Sequence, residues 1–236
     1  MKKILIVAPH PDDAELSMGG TIAKMLDSGW DVTIVDLTDG EPTPFGSRQI
    51  RHEETNKSNA ILGIKNRICL GMPNRYLQAN LENRKKLSEI IRLNQPDLLF
   101  GPILPDWHPD HKAAAELVED ARFEAKFHKT DMAGVPHWTP GMYSYYSTHR
   151  PGYDKPLFVI DITDYWDRKI KAIEAYQSQL KNSANQVSLL EKAEVVCRYF
   201  GQCAGVKYAE PFSGCQLMRV DDLRFLTPFG CGQRPR

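Results

Sequence analysis

Over the first 125 residues, short and mostly apolar runs alternate with longer segments in which apolar side chains recur every three or four positions. The short runs are rich in Ile, Val and Leu and are therefore predicted to be buried strands. The longer segments are predicted to be amphipathic helices, because their spacing places the apolar side chains on one face. The predicted strands are residues 3–9, 31–40, 66–71 and 97–103, and the predicted helices are residues 17–30, 47–64, 80–96 and 108–125.

Four strand–helix pairs in succession indicate an α/β protein with a doubly wound, Rossmann-like sheet. We expect this sheet to be mostly parallel and flanked by helices, with the active site at the carboxyl ends of the strands. Two further strands and two further helices are predicted after this region, at residues 141–147 and 156–162 and at Asp164–Leu180 and about Val187–Gly201.

A single domain is expected over residues 1–226, because no linker or low-complexity segment interrupts this stretch. Residues 227–236 contain Gly, Pro and Arg without any periodicity. They are expected to form a flexible C-terminal tail.

The 236 residues carry 30 basic and 30 acidic side chains, so the formal net charge is +0. A balanced chain has no general attraction to nucleic acid or anionic lipid, and we expect neither as a partner. The apolar run Ile4–Ala8 is too short for a signal peptide, and no stretch is long enough to span a membrane. The five cysteines form no CxxC pair and are expected to be free thiols in a cytoplasmic protein.

Two motifs of the same form follow the first and fourth predicted strands. HPDD places His10 three residues before Asp13, and HPDH places His108 three residues before His111. Residues at i and i+3 in a first helical turn point the same way, so two facing pairs would supply four imidazole and carboxylate groups. This set suits zinc, which in catalytic sites takes three protein ligands and keeps a fourth position for water. The spacing does not decide which of the four groups is left over.

Two more carboxylates, Asp12 and Asp110, lie within these motifs. A carboxylate that does not bind the metal is what a general base requires, and a spare imidazole suits oxyanion stabilisation or general acid catalysis. The motifs therefore indicate metal-assisted hydrolysis without a covalent intermediate. Helix capping explains a single Asp at a helix start, but two clusters about 100 residues apart are hard to obtain from capping. A dinucleotide site is disfavoured, because no GxGxxG follows the first strand.

The segments APHPDDAELSMGGTIAK and DWHPDHKAAAELV, in this order and spacing, resemble the LmbE-like (PIG-L) family of zinc-dependent N-deacetylases. RQIRHEETNKSNAILGI resembles the Arg-containing helix that follows the second strand in that family. Later segments resemble one branch, the bacillithiol-pathway deacetylases that act on N-acetylglucosaminyl-malate. They are AYQSQL, CRYFGQCAGVKYAEPF and LMRVDDL.

The resemblance implies which residues bind the metal ion and which residue is the general base. It implies that His10, Asp13 and His111 are the zinc ligands, and iron(II) accepts the same set. It also implies that Asp12 is the general base that activates the metal-bound water.

The resemblance further implies groups that contact the substrate. His108 would be a protonated partner that stabilises the oxyanion or donates to the leaving amine, oriented by Asp110. Arg51 would bind the sugar or its aglycone, and Tyr145 is the nearest candidate for a tyrosine that assists the oxyanion in some relatives.

The implied reaction is zinc-dependent hydrolysis of an N-acetyl group, with N-acetylglucosaminyl-L-malate of bacillithiol biosynthesis as the favoured substrate. The alternatives are another N-acetylglucosamine compound, such as a glycolipid, an inositol conjugate, an antibiotic precursor or chitobiose, or a non-catalytic protein that binds zinc or sugar. The resemblance also implies a homo-oligomer, a hexamer in many relatives.

Overall fold

The computed structural model describes residues 1–150, 152–182, 188–214 and 216. In this part of the chain, the strands are β1 (Lys3–Ala8), β2 (Asp31–Thr38), β3 (Asn66–Met72), β4 (Leu98–Pro102), β5 (Gly141–Tyr145), β6 (Phe158–Asp161) and β7 (Ala209–Ser213). They form one sheet in the order β3-β2-β1-β4-β5-β7-β6. The first five strands run parallel, whereas β7 is antiparallel to β5 and to β6. The predicted α/β fold with a mostly parallel sheet is confirmed.

Helices cover both faces of this sheet. Over the described residues they are α1 (Asp13–Asp27), α2 (Arg48–Leu62), α3 (Leu81–Asn94), α4 (Pro109–Glu124), α5 (Trp166–Glu174), α6 (Gln177–Asn182) and α7 (Leu189–Ala204), with a 3-10 turn at Thr163–Tyr165. Polar side chains at three helix starts accept a backbone N–H, which fixes where those helices begin. They are Ser47 for α2, Asn80 for α3 and Ser188 for α7.

Successive residues of β1 belong to two different hydrophobic clusters. Ile4 and Ile6 pack with α1 on one face, whereas Leu5 and Val7 pack with α3 and α4 on the other. A strand covered on both faces has no polar side, which explains the uninterrupted apolar run near the N-terminus.

The strand β7 is missing from the sequence prediction. Its residues AEPFS include Glu210 and Pro211, which are uncommon inside a strand. Pro211 comes just before Phe212, which pairs with Tyr145 at the end of β5. The proline therefore lies beyond the end of β5, and its missing N–H costs no hydrogen bond to that strand. Glu210 is buried completely and has a partner described below.

The predicted helix Asp164–Leu180 is divided into the 3-10 turn, α5 and α6. The interruption between α5 and α6 allows Tyr176 to bury its ring and to donate its hydroxyl to Glu15 at 2.9 Å. The predicted helix at about Val187–Gly201 is α7, which extends to Ala204.

Several other expectations concern the chain as a whole. Cys69, Cys197 and Cys203 are free thiols, as predicted, and Cys215 and Cys231 lie outside the described residues, as does the predicted tail. None of the described helices is long and apolar enough to cross a membrane.

Gly20 lets the backbone of α1 pack closely against Ile162, the residue that follows β6. A Cβ at this position would lie 2.7 Å from Cβ and Cδ1 of Ile162, and Ile162 is fully buried. We expect Gly20→Ala to lower the free energy of unfolding by about 1–3 kcal/mol, measured by urea denaturation. Gly152→Ala is the control, because its Cβ would meet no atom within 4 Å. Equal urea midpoints for both variants would contradict this close packing.

Candidate active site

The two HP-containing motifs meet because the strands before them are neighbours. β1 lies between β2 and β4, so the order of connection reverses at this point of the sheet. A crevice opens at such a reversal, at the carboxyl ends of the strands. HPDD leads from β1 into α1, and HPDH leads into α4 shortly after β4, so both motifs line this crevice.

His10, Asp13 and His111 form a buried group whose ligand atoms lie within 4.8 Å of one another. Oδ2 of Asp13 lies 3.1 Å from Nδ1 of His10 and 3.3 Å from Nε2 of His111. A tetrahedral ion with bonds of about 2.0–2.1 Å holds its ligand atoms about 3.3 Å apart, so the group fits zinc. Although Asp13 lies within ion-pair distance, Nε2 of His111 is buried and has no hydrogen-bond partner in the described part of the chain. The group can therefore bind a metal ion.

Each of the two histidines has a carboxylate at its other ring nitrogen. Oδ2 of Asp110 lies 3.1 Å from Nε2 of His10, and Oδ2 of Asp106 lies 3.0 Å from Nδ1 of His111. Such carboxylates fix the tautomer and orientation of a metal-binding imidazole. Asp106 is itself held by the Ser147 hydroxyl, which donates to it. The family resemblance gave no role to Asp106, although this residue lies two positions before the HPDH motif.

The electrostatics of the group favour positive charge. Burial on its own lowers the pKa of both imidazoles, but the surrounding carboxylates outweigh it and raise the pKa of His10 to about 9 and that of His111 to about 10. Burial raises the pKa of Asp13, and the two histidines more than offset this, so its pKa lies well below the ordinary value. A site that holds a proton so tightly between carboxylates and imidazoles also attracts a divalent cation.

Asp12 lies beside this group but is not part of it. Its backbone has a positive φ of 119°, which is rare for a residue other than glycine, and its side chain caps no helix. Burial raises its pKa to about 7, against the charge of Arg51, which lowers it. An unusual backbone conformation and a raised pKa at one carboxyl in a cleft are typical of a catalytic base.

Arg51 is buried and holds this base. Its Nη1 donates to the Pro11 carbonyl at 2.6 Å and to Oδ2 of Asp12 at 3.2 Å, and its Nε lies 3.4 Å from Oε1 of Glu41. Gly40, with a φ of 74°, leaves room for the guanidinium, since a Cβ there would lie 3.2 Å from Cζ of Arg51. Arg51 lines the cavity, and its contacts in this structure are to Asp12 and the adjoining loop, so its binding to the sugar or aglycone stays a prediction.

His108 and Asp110 differ from the expectation of a protonated histidine oriented by a carboxylate. Nδ1 of His108 accepts the backbone N–H of Asp110 at 3.1 Å, so that nitrogen carries no proton. Burial and the charges of His10 and His111 lower the pKa of His108 to about 4. The Asp110 carboxylate instead contacts His10 and accepts the backbone N–H groups of Arg75 and Leu77. His108 is thus a neutral imidazole with its proton on Nε2.

Tyr145 does not reach the cavity. Its side chain is completely buried in the core, and its hydroxyl donates to the Val7 carbonyl at 2.9 Å. Alternation along β5 directs this side chain into the core. Its assignment as a tyrosine that assists the oxyanion is therefore wrong.

A cavity of about 320 Å³ opens outward from the metal-binding group, a size typical of small-ligand sites. Part of its wall comes from loops and helices that the motifs do not include, and this part holds two cations, an imidazole and two amides. The sequence analysis missed these residues, since no motif marks them; they are Asn74, Arg75, Thr148, His149, Gln179, Leu189 and Lys192.

The fold and this site together define an α/β enzyme in which a buried His/Asp group can hold a metal ion, with a further carboxylate beside that group. The sequence model of the PIG-L family, described as GlcNAc-PI de-N-acetylase, matches residues 5–122. The diacetylchitobiose deacetylase of Thermococcus kodakarensis is 32% identical over 225 residues, which are 89% of this chain and 82% of that protein. A probable N-acetyl-α-D-glucosaminyl L-malate deacetylase 2 of Bacillus anthracis is 27% identical over 203 residues, covering 79% and 85% of the two chains.

Among solved structures, a conserved protein of Thermus thermophilus, TT1542, superposes with a TM-score of 0.86. It is 34% identical, and the match covers 94% of this chain and 98% of that one. The chain belongs to the PIG-L family. It is accordingly a hydrolase of the N-deacetylase class, which acts on N-acetylglucosamine-type groups.

Asp106 offers a test of the metal-binding group. We expect Asp106→Asn to weaken zinc affinity about 10- to 100-fold, because His111 loses the carboxylate that orients it. Competition with a chromogenic chelator measures the affinity. Asp120→Asn, which alters a half-exposed pair with Arg84, is the matched control and should bind zinc normally. An unchanged affinity for Asp106→Asn would show that Asp106 does not support the metal ligand.

Proposed function

We propose that this protein hydrolyses the N-acetyl group of an N-acetylglucosaminyl conjugate with zinc bound by His10, Asp13 and His111. The observation that carries the proposal is the position of Asp12, a largely buried carboxylate adjacent to the proposed ligand Asp13 that lines the cavity without joining the metal-binding group. Imidazole and carboxylate ligands in tetrahedral spacing favour zinc, and iron(II) is the alternative ion.

When bound, the ion lowers the pKa of a coordinated water and polarises the acetamide carbonyl. Asp12 then accepts a proton from the attacking water, and Arg51 keeps the carboxylate facing the cavity. The water oxygen forms a bond to the carbonyl carbon, and the Nε2–H of His108 donates to the oxyanion that develops. Asp12 returns its proton to the nitrogen as the C–N bond breaks, so that acetate and a free amine leave. The neutral state of His108 is the reason for assigning both proton transfers to Asp12.

Asp12 is the residue on which this mechanism depends most. We expect Asp12→Asn to bind zinc as tightly as the wild type and to lose about 10²- to 10⁴-fold in kcat, the usual contribution of a general base. Zinc content and amine release are measured on the same preparation. Normal activity in a zinc-loaded Asp12→Asn variant would exclude Asp12 as the base.

Arg51 sets the pH range of the reaction in this mechanism. Its positive charge lowers the pKa of Asp12, so Arg51→Ala should raise that pKa and move the acidic limb of kcat/KM to higher pH. Activity at pH 6 should then fall more than activity at pH 8. Arg51→Lys retains the charge and should shift the limb less. A limb that does not move in Arg51→Ala would mean that another group controls it.

For the aglycone, we propose an anionic group and favour L-malate. Arg75 and Lys192 line the cavity, and neither forms an ion pair with a carboxylate in the described part of the chain. The carboxylates among the cavity-lining residues are Asp12, which is paired with Arg51, and Asp13, which lies between two histidines. The relative from Bacillus anthracis bears the name of a malate-conjugate deacetylase, whereas the relative from Thermococcus kodakarensis supports chitobiose.

Amine release from a panel of substrates tests the reaction and the aglycone together. We expect faster turnover of N-acetylglucosaminyl-malate than of diacetylchitobiose or of an N-acetylglucosaminyl-inositol. Arg75→Gln and Lys192→Gln should raise KM for the malate conjugate and leave KM for chitobiose unchanged. Faster turnover of chitobiose would overturn the malate assignment, and no release from any member would overturn the deacetylase proposal. The cytoplasmic location and the homo-oligomer, a hexamer by resemblance, stay predictions.

A further inference from the structure

The helix that follows the catalytic motif is interrupted. Met18 in α1 has a φ of −144° and a ψ of 25°, which lie outside the helical region. The interruption leaves a short segment, Asp13–Ser17, and a longer one, Gly19–Asp27. The short segment carries the proposed ligand Asp13 and directly follows Asp12. Its position therefore determines where both carboxylates lie.

Two side chains from late in the chain bind the backbone groups at this interruption. In a continuous helix, the N–H of Gly20 would donate to the carbonyl of Leu16. Here the Leu16 carbonyl accepts from Nζ of Lys169 at 2.8 Å. The N–H groups of Gly20 and Thr21 donate to Oε1 and Oε2 of Glu210 at 3.0 and 2.7 Å.

Lys169 from α5 and Glu210 from β7 also bind each other. Nζ of Lys169 lies 2.6 Å from Oε1 of Glu210, and both side chains are 0% exposed. The ammonium lies at the carboxyl end of the short segment and the carboxylate lies at the amino end of the longer one, as the dipoles of the two segments require. Burial alone lowers the pKa of Lys169, but the charge of Glu210 outweighs burial and leaves the pKa above its ordinary value, so the ammonium keeps its proton.

Neither residue lines the cavity, so any effect on the reaction must pass through α1. Buried ion pairs are weak sources of stability, since apolar side chains of similar volume often replace them without loss. Apolar side chains cannot, however, bind the three backbone groups freed at Met18. The value of this pair therefore lies in the geometry that it imposes on the backbone.

We infer that Lys169 and Glu210 are positioning residues, which hold the segment Asp13–Ser17 so that Asp12 and Asp13 meet the metal ion correctly. The kinetic part of this inference rests on the proposed deacetylase activity, whereas its metal-binding part does not. The short segment has a second anchor, Glu15, which accepts from Arg67 at 2.5 Å and from Tyr176 at 2.9 Å. Lys169 binds the carbonyl of the next residue, Leu16, and Glu210 binds the first N–H groups of the longer segment.

The test compares the full-length wild type with Lys169→Met, Glu210→Gln and the double variant Lys169→Met/Glu210→Met. The double variant removes both charges, so its melting temperature should be higher than that of Lys169→Met, which leaves a buried carboxylate unpaired. Its zinc affinity should nevertheless stay about 10- to 100-fold below the wild type. At saturating zinc, its kcat should fall about tenfold or more with an unchanged KM, because the cavity wall is intact.

Leu87→Ala is the matched control, because Leu87 is buried in the cluster on the opposite face of the sheet. It should lower the melting temperature while leaving zinc affinity and kcat near the wild-type values. If zinc affinity and kcat of the double variant recover together with its melting temperature, the pair is only a source of stability and the inference is wrong.

Glu210→Asp decides the question if the double variant does not fold. Its shorter side chain keeps the charge but cannot reach both N–H groups, so zinc affinity and kcat should fall well below those of Leu87→Ala, although both variants lose melting temperature. Wild-type values for both would overturn the inference. If the wild type releases no amine from any substrate, the proposed function fails, and the zinc affinities alone still decide the positioning role.

Discussion

Three carboxylates within four residues, two of them buried and one largely so, impose the constraint on which this structure depends. Asp12, Asp13 and Glu15 lie at the carboxyl end of β1, where burial on its own raises the pKa of each. An ionised carboxylate in such a place needs a positive partner close by. Arg51 reaches Asp12 from α2 and Arg67 reaches Glu15 from β3, while Asp13 lies between two histidines. The surrounding elements thus bring positive charge to one turn of the chain.

The two HP-containing motifs could be recognised from the sequence because each holds its chemistry within four residues and follows a strand-like run. Two of the other buried partners, Arg67 and Lys169, could not be recognised, because each is one of 30 basic residues with no local signal. Arg51 was singled out only through the family resemblance. Arg67 lies 52 positions from Glu15, and Lys169 lies 41 positions from Glu210. The strand β7 was hidden for a related reason, since its buried glutamate is stabilised only by residues far away in the chain.

The starts of α1 and α4 show that capping operates in one motif through a histidine, whereas the capping alternative considered an aspartate. His108 is indeed a helix cap, and the hydrogen bond that it accepts from the N–H of Asp110 also fixes its tautomer. Asp12 occupies the equivalent position in α1 but forms no cap, because its positive φ turns the residue away from the helix. His108 can thereby donate a hydrogen bond only through Nε2, whereas the Asp12 carboxylate binds no helix N–H and can exchange protons. A sequence pattern alone does not distinguish these two outcomes.

The location of Glu210 in β7 has a consequence for how the protein is made. All of the proposed metal ligands have been added to the chain once about half of it has been synthesised, since the last of them is His111. The carboxylate that binds the interrupted helix is added almost 100 residues later. A nascent chain therefore carries a complete set of ligands well before it can adopt the final geometry of the site.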